Sequence, residues 1–284
     1  MDDRLRESWD FDDLAATEGR LRELLARETT EEGRAEVLTQ LARVRGLHGD
    51  FEAGERLVDE AEAAAGESQL ALARVELERG RLRRSSGNVE AALPLFESAF
   101  ARSLEAGHYF IAVDAAHMAA LAAPDRRGIV AWTERGIELA ESQASARYWL
   151  GPLLNNLGWE YYEAGDFEQA LDAFQRALTA READAENRAP IEIARYAVGK
   201  TLRALGRSAE AVPLLQQATI WAIESGSPDG WFHEELAEEY AAIGRDDEAY
   251  EHARLALPLL LDADPSFAED AERSARLRQL AGEG

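Results

Sequence analysis

The 284-residue chain contains no cysteine. Disulfide bonds and thiolate chemistry are thereby excluded, and the absence fits a reducing compartment. Lysine is almost missing as well, since Lys200 stands alone against thirty arginines. Proline is scarce, with eight in the whole chain, and β-branched residues are sparse. Basic residues are outnumbered by acidic ones, 31 to 55, for a formal charge of −24. A balance of that sign argues against nonspecific binding to nucleic acid or to an anionic membrane. No apolar run approaches the ~20 residues that span a bilayer. The opening Met1-Asp2-Asp3-Arg4-Leu5-Arg6-Glu7 has no apolar core for a signal peptide. The expectation is a soluble cytoplasmic protein with neither a nucleic-acid nor a membrane partner.

What the chain does have is helix former. It is 46% apolar, and its commonest residues are Ala, Leu, Glu and Arg, all favourable in helices. Turn markers recur between paired helical patterns: Gly49-Asp50-Phe51, Gly87-Asn88-Val89, Gly165-Asp166-Phe167, Gly206-Arg207-Ser208 and Gly244-Arg245-Asp246. Gly49 and Gly87 are 38 residues apart, as are Gly206 and Gly244. The 78 residues from Gly87 to Gly165 leave room for one further unit, with its turn at Ala123-Pro124-Asp125. Six helical hairpins result.

Residues 154 to 177 show how each hairpin closes. Leu154, Leu157, Gly158 and Tyr161 lie on a first helix, and Ala170, Phe174 and Ala177 on a second. Small Gly158 and Ala170 let the backbones approach, and the large side chains fill the space around them. This stretch resembles the tetratricopeptide-repeat (TPR) family, of a bacterial type with longer-than-usual repeats. The other hairpins carry parts of the pattern, with Gly80 and Gly199 at their crossings. In the most divergent one we place Ala116 at the crossing, because His117 there would wedge the helices apart.

The resemblance implies an all-α fold, a right-handed α-solenoid of about six TPR-like hairpins with capping helices at both ends. The expected repeats are 35–66, 68–104, 107–143, 147–183, 189–226 and 229–262. Caps are expected at 1–32 and 264–284, making 1–284 a single superhelix. The period exceeds the family's 34 residues, so longer helices or longer links are expected.

In such a stack the first helix of each hairpin lines the concave face. The residues so placed are Arg43, then Arg74, Leu77, Arg81 and Arg84, then Asp114 and His117. Asn155, Asn156, Trp159 and Tyr162 follow, then Tyr196, Lys200 and Arg203, and last Trp231, Glu234 and Glu238. Residues 73 to 85 carry five arginines and two glutamates, a local excess of positive charge. Arginine forks suit carboxylate or phosphate, asparagines can hold a peptide backbone, and the aromatics offer apolar anchors. The alternative is that the arginines pair with glutamates such as Glu76 and Glu78. Thr39 stands where chaperone-tail receptors of the family carry a lysine, which disfavours that role.

Catalysis has weaker support. Asp114 and His117 are one helical turn apart, and Lys200 survives in a chain that otherwise uses arginine, so these three are the candidate catalytic residues. No HExxH, phosphate loop or nucleophile elbow is present, and no cofactor or metal is implied. The leading expectation is a scaffold or adaptor binding a protein or peptide segment, one bearing an acidic group or a C-terminal carboxylate. The alternatives are a site for an anionic or zwitterionic small molecule inside the superhelix, enzymatic or not, and a peptide-responsive regulatory sensor.

Overall fold

A computed structural model describes residues 3–183 and 187–283. Met1, Asp2 and Gly284, at the outer ends of the two expected caps, lie outside the described residues. Among the described residues the chain is all-helical, with no strand. A first helix, α1 (Leu14–Arg27), precedes the hairpins α2 (Glu31–Leu47) with α3 (Phe51–Ala65), and α4 (Gln69–Ser85) with α5 (Val89–Glu105). Next come α6 (Tyr109–Ala122) with α7 (Arg126–Ser142), and α8 (Leu150–Glu163) with α9 (Phe167–Glu182). The last two hairpins are α10 (Arg188–Ala204) with α11 (Ser208–Glu224), and α12 (Gly230–Ala242) with α13 (Asp246–Ala263), followed by α14 (Ala271–Leu280). Six hairpins with a helix before and after are the architecture of a TPR solenoid.

The sequence sets these boundaries locally. Asp50, Ser68, Asn88 and Asp125 each accept a hydrogen bond from a backbone N–H three residues on, closing the first turn of α3, α4, α5 and α7. At Gly165 the backbone enters the left-handed region with φ 80°. There the N–H of Asp166 reaches back to the carbonyl of Tyr161 at 2.9 Å, so the chain reverses at no steric cost. Extra helix length absorbs the long period: α4, α5, α10 and α11 each run 17 residues.

The helix crossings follow the expected chemistry. A Cβ on Gly158 would come within 2.5 Å of the buried Phe174 ring, and one on Gly199 within 2.6 Å of Leu215. Gly80 meets Phe96 in the same way. The third hairpin reverses the roles: Ala116 is fully buried on α6, and the glycine that admits a large neighbour is Gly136 on α7, against Leu153.

The chain divides into two compact units, Met1–Leu153 and Leu154–Gly284, with the division inside α8. In unit 1, one apolar cluster joins α2 to α4 through Leu38, Val58, Val75 and Leu82, and another gathers Phe96, Phe100, Phe110 and Met118. In unit 2, Phe174, Leu215, Phe232 and Leu236 share a core, and Phe267 and Leu277 close its far end against α13. Among the described residues no helix is long and apolar enough to cross a membrane.

Candidate functional site

In unit 1 the first helices of the hairpins, α2, α4 and α6, lie side by side and share one face. A cavity of about 220 Å³ opens on that face. Its floor is Gln40 and Arg43 from α2, Arg74, Leu77 and Glu78 from α4, and Phe110 and Asp114 from α6. Tyr148 and Trp149, in a 3-10 turn ahead of α8, form one wall. The segment before α1 completes the lining through Asp3, Arg6, Trp9 and Phe11.

That segment is fastened by side chains. The Asp3 carboxylate pairs with Arg74, whose Nε also donates to Glu36 at 3.0 Å, and Arg74 is only 3% exposed. Leu5 is fully buried among Leu21, Val37, Leu41 and Val44. The Arg6 guanidinium lies 3.7 Å over the Tyr148 ring, and the Trp9 indole N–H donates to Gln40 Oε1 at 3.0 Å. Trp9 stacks on Phe11 with centroids 5.0 Å apart. In the sequence, Ser8-Trp9-Asp10-Phe11-Asp12 sets this segment apart only by aromatics and acids without a helical period.

The arginines differ in how their charge is met. Arg81 pairs with both Glu78 and Asp114. Burial alone would raise the Asp114 carboxyl, but Arg81 and Arg43 outweigh it and hold it below its usual range. Arg84 donates to the carbonyl of Leu121 at 3.2 Å. Arg43 has no carboxylate at ion-pair distance among the described residues. It rests on the Trp9 and Phe11 rings at 4.9 and 5.4 Å, contacts typically worth ~0.5–2 kcal/mol. Burial, then repulsion from Arg81, lowers its pKa despite nearby Glu78, Asp114 and Asp3. Two further polar groups of the cavity, Glu78 Oε2 and Trp149 Nε1, are buried without a hydrogen-bond partner among the described residues. The His117 ring lies tilted against Trp149 at 5.6 Å, and burial lowers its pKa.

The remaining expected site residues lie in unit 2. Glu235, 1% exposed, takes Lys200 on one oxygen and Arg203 at 2.6 Å on the other. These cations hold its carboxyl low against the upward push of burial. Tyr196 is buried against Phe232 at 5.1 Å, and burial raises its phenol well above the ordinary value. Glu234 is gripped by Arg273 of α14 at 2.6 Å, and Glu238 by Arg276 at 3.2 Å. Trp159 packs edge-on against Phe174 at 5.1 Å and Tyr162 at 5.5 Å. Trp231 is partly buried beside the core. Asn155 keeps its Oδ1 buried without a hydrogen-bond partner among the described residues, whereas Asn156 is engaged. Two groups that the sequence did not single out also lie here. His233 and His252 bring their Nδ1 atoms to 2.9 Å, and burial then mutual repulsion lowers the His233 pKa to about 4. Glu239 is fully buried without an ion-pair partner among the described residues, and burial raises its carboxyl.

Comparison with known proteins agrees with this architecture. The family model of the tetratricopeptide repeat matches residues 152–182, the hairpin of α8 and α9. The apo form of RapI superposes with a TM-score of 0.71 at 14% identity, covering 98% of this chain and 80% of that one. BtubC (BKLC) from P. vanneervenii gives 0.61 at 20% identity, covering 79% and 94%. A Rap protein complexed with Competence and Sporulation Factor gives 0.59 at 15% identity, covering 99% and 80%. The α8–α9 hairpin is thus matched as a tetratricopeptide repeat, and the chain shares the fold of solved TPR solenoids. No curated protein matches its sequence.

Proposed function

We propose that the chain is a protein-interaction module whose unit 1 face binds a peptide segment bearing a carboxylate. The observation that carries this reading is Arg43, a half-buried guanidinium lining the cavity that meets aromatic rings but, among the described residues, no carboxylate. An unmatched cation beside a cavity favours an anionic group, since a charge-assisted hydrogen bond is stronger than a neutral one. The TPR fold supports a protein partner, and the similarity to a Rap protein solved with Competence and Sporulation Factor supports a sensor-like version of it. A displayed library of random short peptides, panned against the full chain, tests the idea. Enriched peptides should lose at least tenfold in capture on Arg43→Gln. If none is enriched over that variant, the reading fails.

A second reading has its own observation. Arg43 and the Trp149 indole N–H can donate, and Glu78 Oε2 can accept, around about 220 Å³. That set suits a small zwitterion, and the volume lies below the ~300 Å³ lower bound usual for drug-sized ligands. Native mass spectrometry of the purified chain separates the two: a discrete retained mass, lost on Arg43→Gln, favours the small molecule.

A further inference from the structure

The segment before α1 is seated on the unit 1 face as a ligand would be. Apart from a 3-10 turn at Arg6–Ser8 it has no regular structure. It is held by an acid on Arg74, a leucine in an apolar pocket, and an indole on Gln40. An acidic residue, an apolar residue two places on and an aromatic six places on form a pattern that a free peptide can reproduce.

Two observations indicate that the seat is exchangeable. The strap leaves the site incomplete: among the described residues Arg43 meets rings but no carboxylate, and Glu78 Oε2 and Trp149 Nε1 are buried without a hydrogen-bond partner. A competitor with a second acid therefore gains an ion pair that the strap does not make. The far end of the strap is also loosely covered, since Phe11 is 60% exposed although it stacks on Trp9. Part of the strap can lift without exposing much new apolar surface.

We propose that residues 3–12 are a tethered ligand of the unit 1 face, displaced by a partner segment with the same acidic–apolar–aromatic pattern. This rests on the peptide-binding reading above and adds its regulation. A tether keeps the strap at an effective concentration in the millimolar range, so weak segments are excluded and only well-matched ones enter.

The probe is a fluorescein-labelled synthetic peptide of residues 3–12, titrated into the full chain by fluorescence polarisation. The wild type is compared with Asp3→Asn/Trp9→Ala, which loosens the strap. The expected result is at least tenfold tighter binding to the loosened chain, reversed when Arg74→Gln, which removes the seat of the probe's own Asp3, is added. Equal affinity for both overturns the strap while leaving the peptide-binding face standing, to be judged by the library. No binding to a loosened chain that keeps its helical circular dichroism also overturns it, because a purely structural strap lowers stability without opening a site. If the double variant loses helicity, Trp9→Ala alone serves in the same comparison with the same outcomes.

Discussion

The two units present the same kind of helix face with opposite electrostatic outcomes. In unit 2 the expected ligand-binding cations are already engaged: Lys200 and Arg203 converge on Glu235, while Arg273 closes over Glu234. In unit 1 the pairing is partial. Arg81 is matched within the helices, Arg74 takes its second carboxylate from Asp3 outside them, and Arg43 is matched by none among the described residues. A run of arginine is therefore not itself a binding site. What distinguishes a site is the charge left over once the neighbouring repeats have taken their share.

The sharpest way to break this comparison is Glu235→Gln, which removes the shared anion and leaves two cations together. Breaking a buried pair typically costs ~3–5 kcal/mol. Lys200 and Arg203 still reach solvent, so about 3 kcal/mol is expected, read as a lower urea midpoint at pH 7. An unmoved midpoint would show that the pair contributes nothing net.

The histidines of unit 2 give a smaller, pH-dependent effect. The His233 pKa is lowered in the fold, so the unfolded chain binds the extra proton first. Stability is then unaffected above about pH 6.5 and falls as pH drops from there toward about 4. Glu248 and Glu251 soften the effect by pulling His252 the other way. A loss of ~1–3 kcal/mol by pH 4 is expected, and His233→Gln should remove most of it. Equal acid sensitivity in that variant refutes the assignment.

One helical turn from Glu235, Glu239 should behave in the opposite sense. Its carboxyl is raised by burial, so its contribution is favourable at low pH and is lost as pH climbs through the folded value. Glu239→Gln is expected to stabilise the protein at pH 7 by about 1 kcal/mol, and a lower urea midpoint would contradict this. The smallest change is expected in unit 1. Arg43→Met trades cation–π contacts for relief of a half-buried charge without a carboxylate, with a net effect within about 1 kcal/mol. A large loss would mean that Arg43 is structural.

The hairpins were legible because helix crossing imposes a strict rule. Gly158 under Phe174 and Gly199 under Leu215 repeat a small-under-large pairing whose spacing survives in the sequence. The arginine stripe was legible as a face but not as a site, because charge was read along each helix. The pairs that settle its state run across the repeat: Arg74 with Glu36 at 38 residues, Arg81 with Asp114 at 33, Lys200 with Glu235 at 35, and Arg273 with Glu234 at 39. Comparing each charge with its counterpart one period away would have found them. The strap had no such rule behind it. Nothing periodic links Asp3 to Arg74, 71 residues on, and only folding brings them together.

Lys200 also makes the chain unusually simple to label. An amine-reactive reagent has one lysine to find, and its ammonium is held against Glu235 between α10 and α12. The rate of acylation at that amine thus reports how often the contact opens. Read at Lys200 and apart from the α-amine, that rate is a chemical clock for the fourth-to-last and second-to-last hairpin helices, with no engineered cysteine needed.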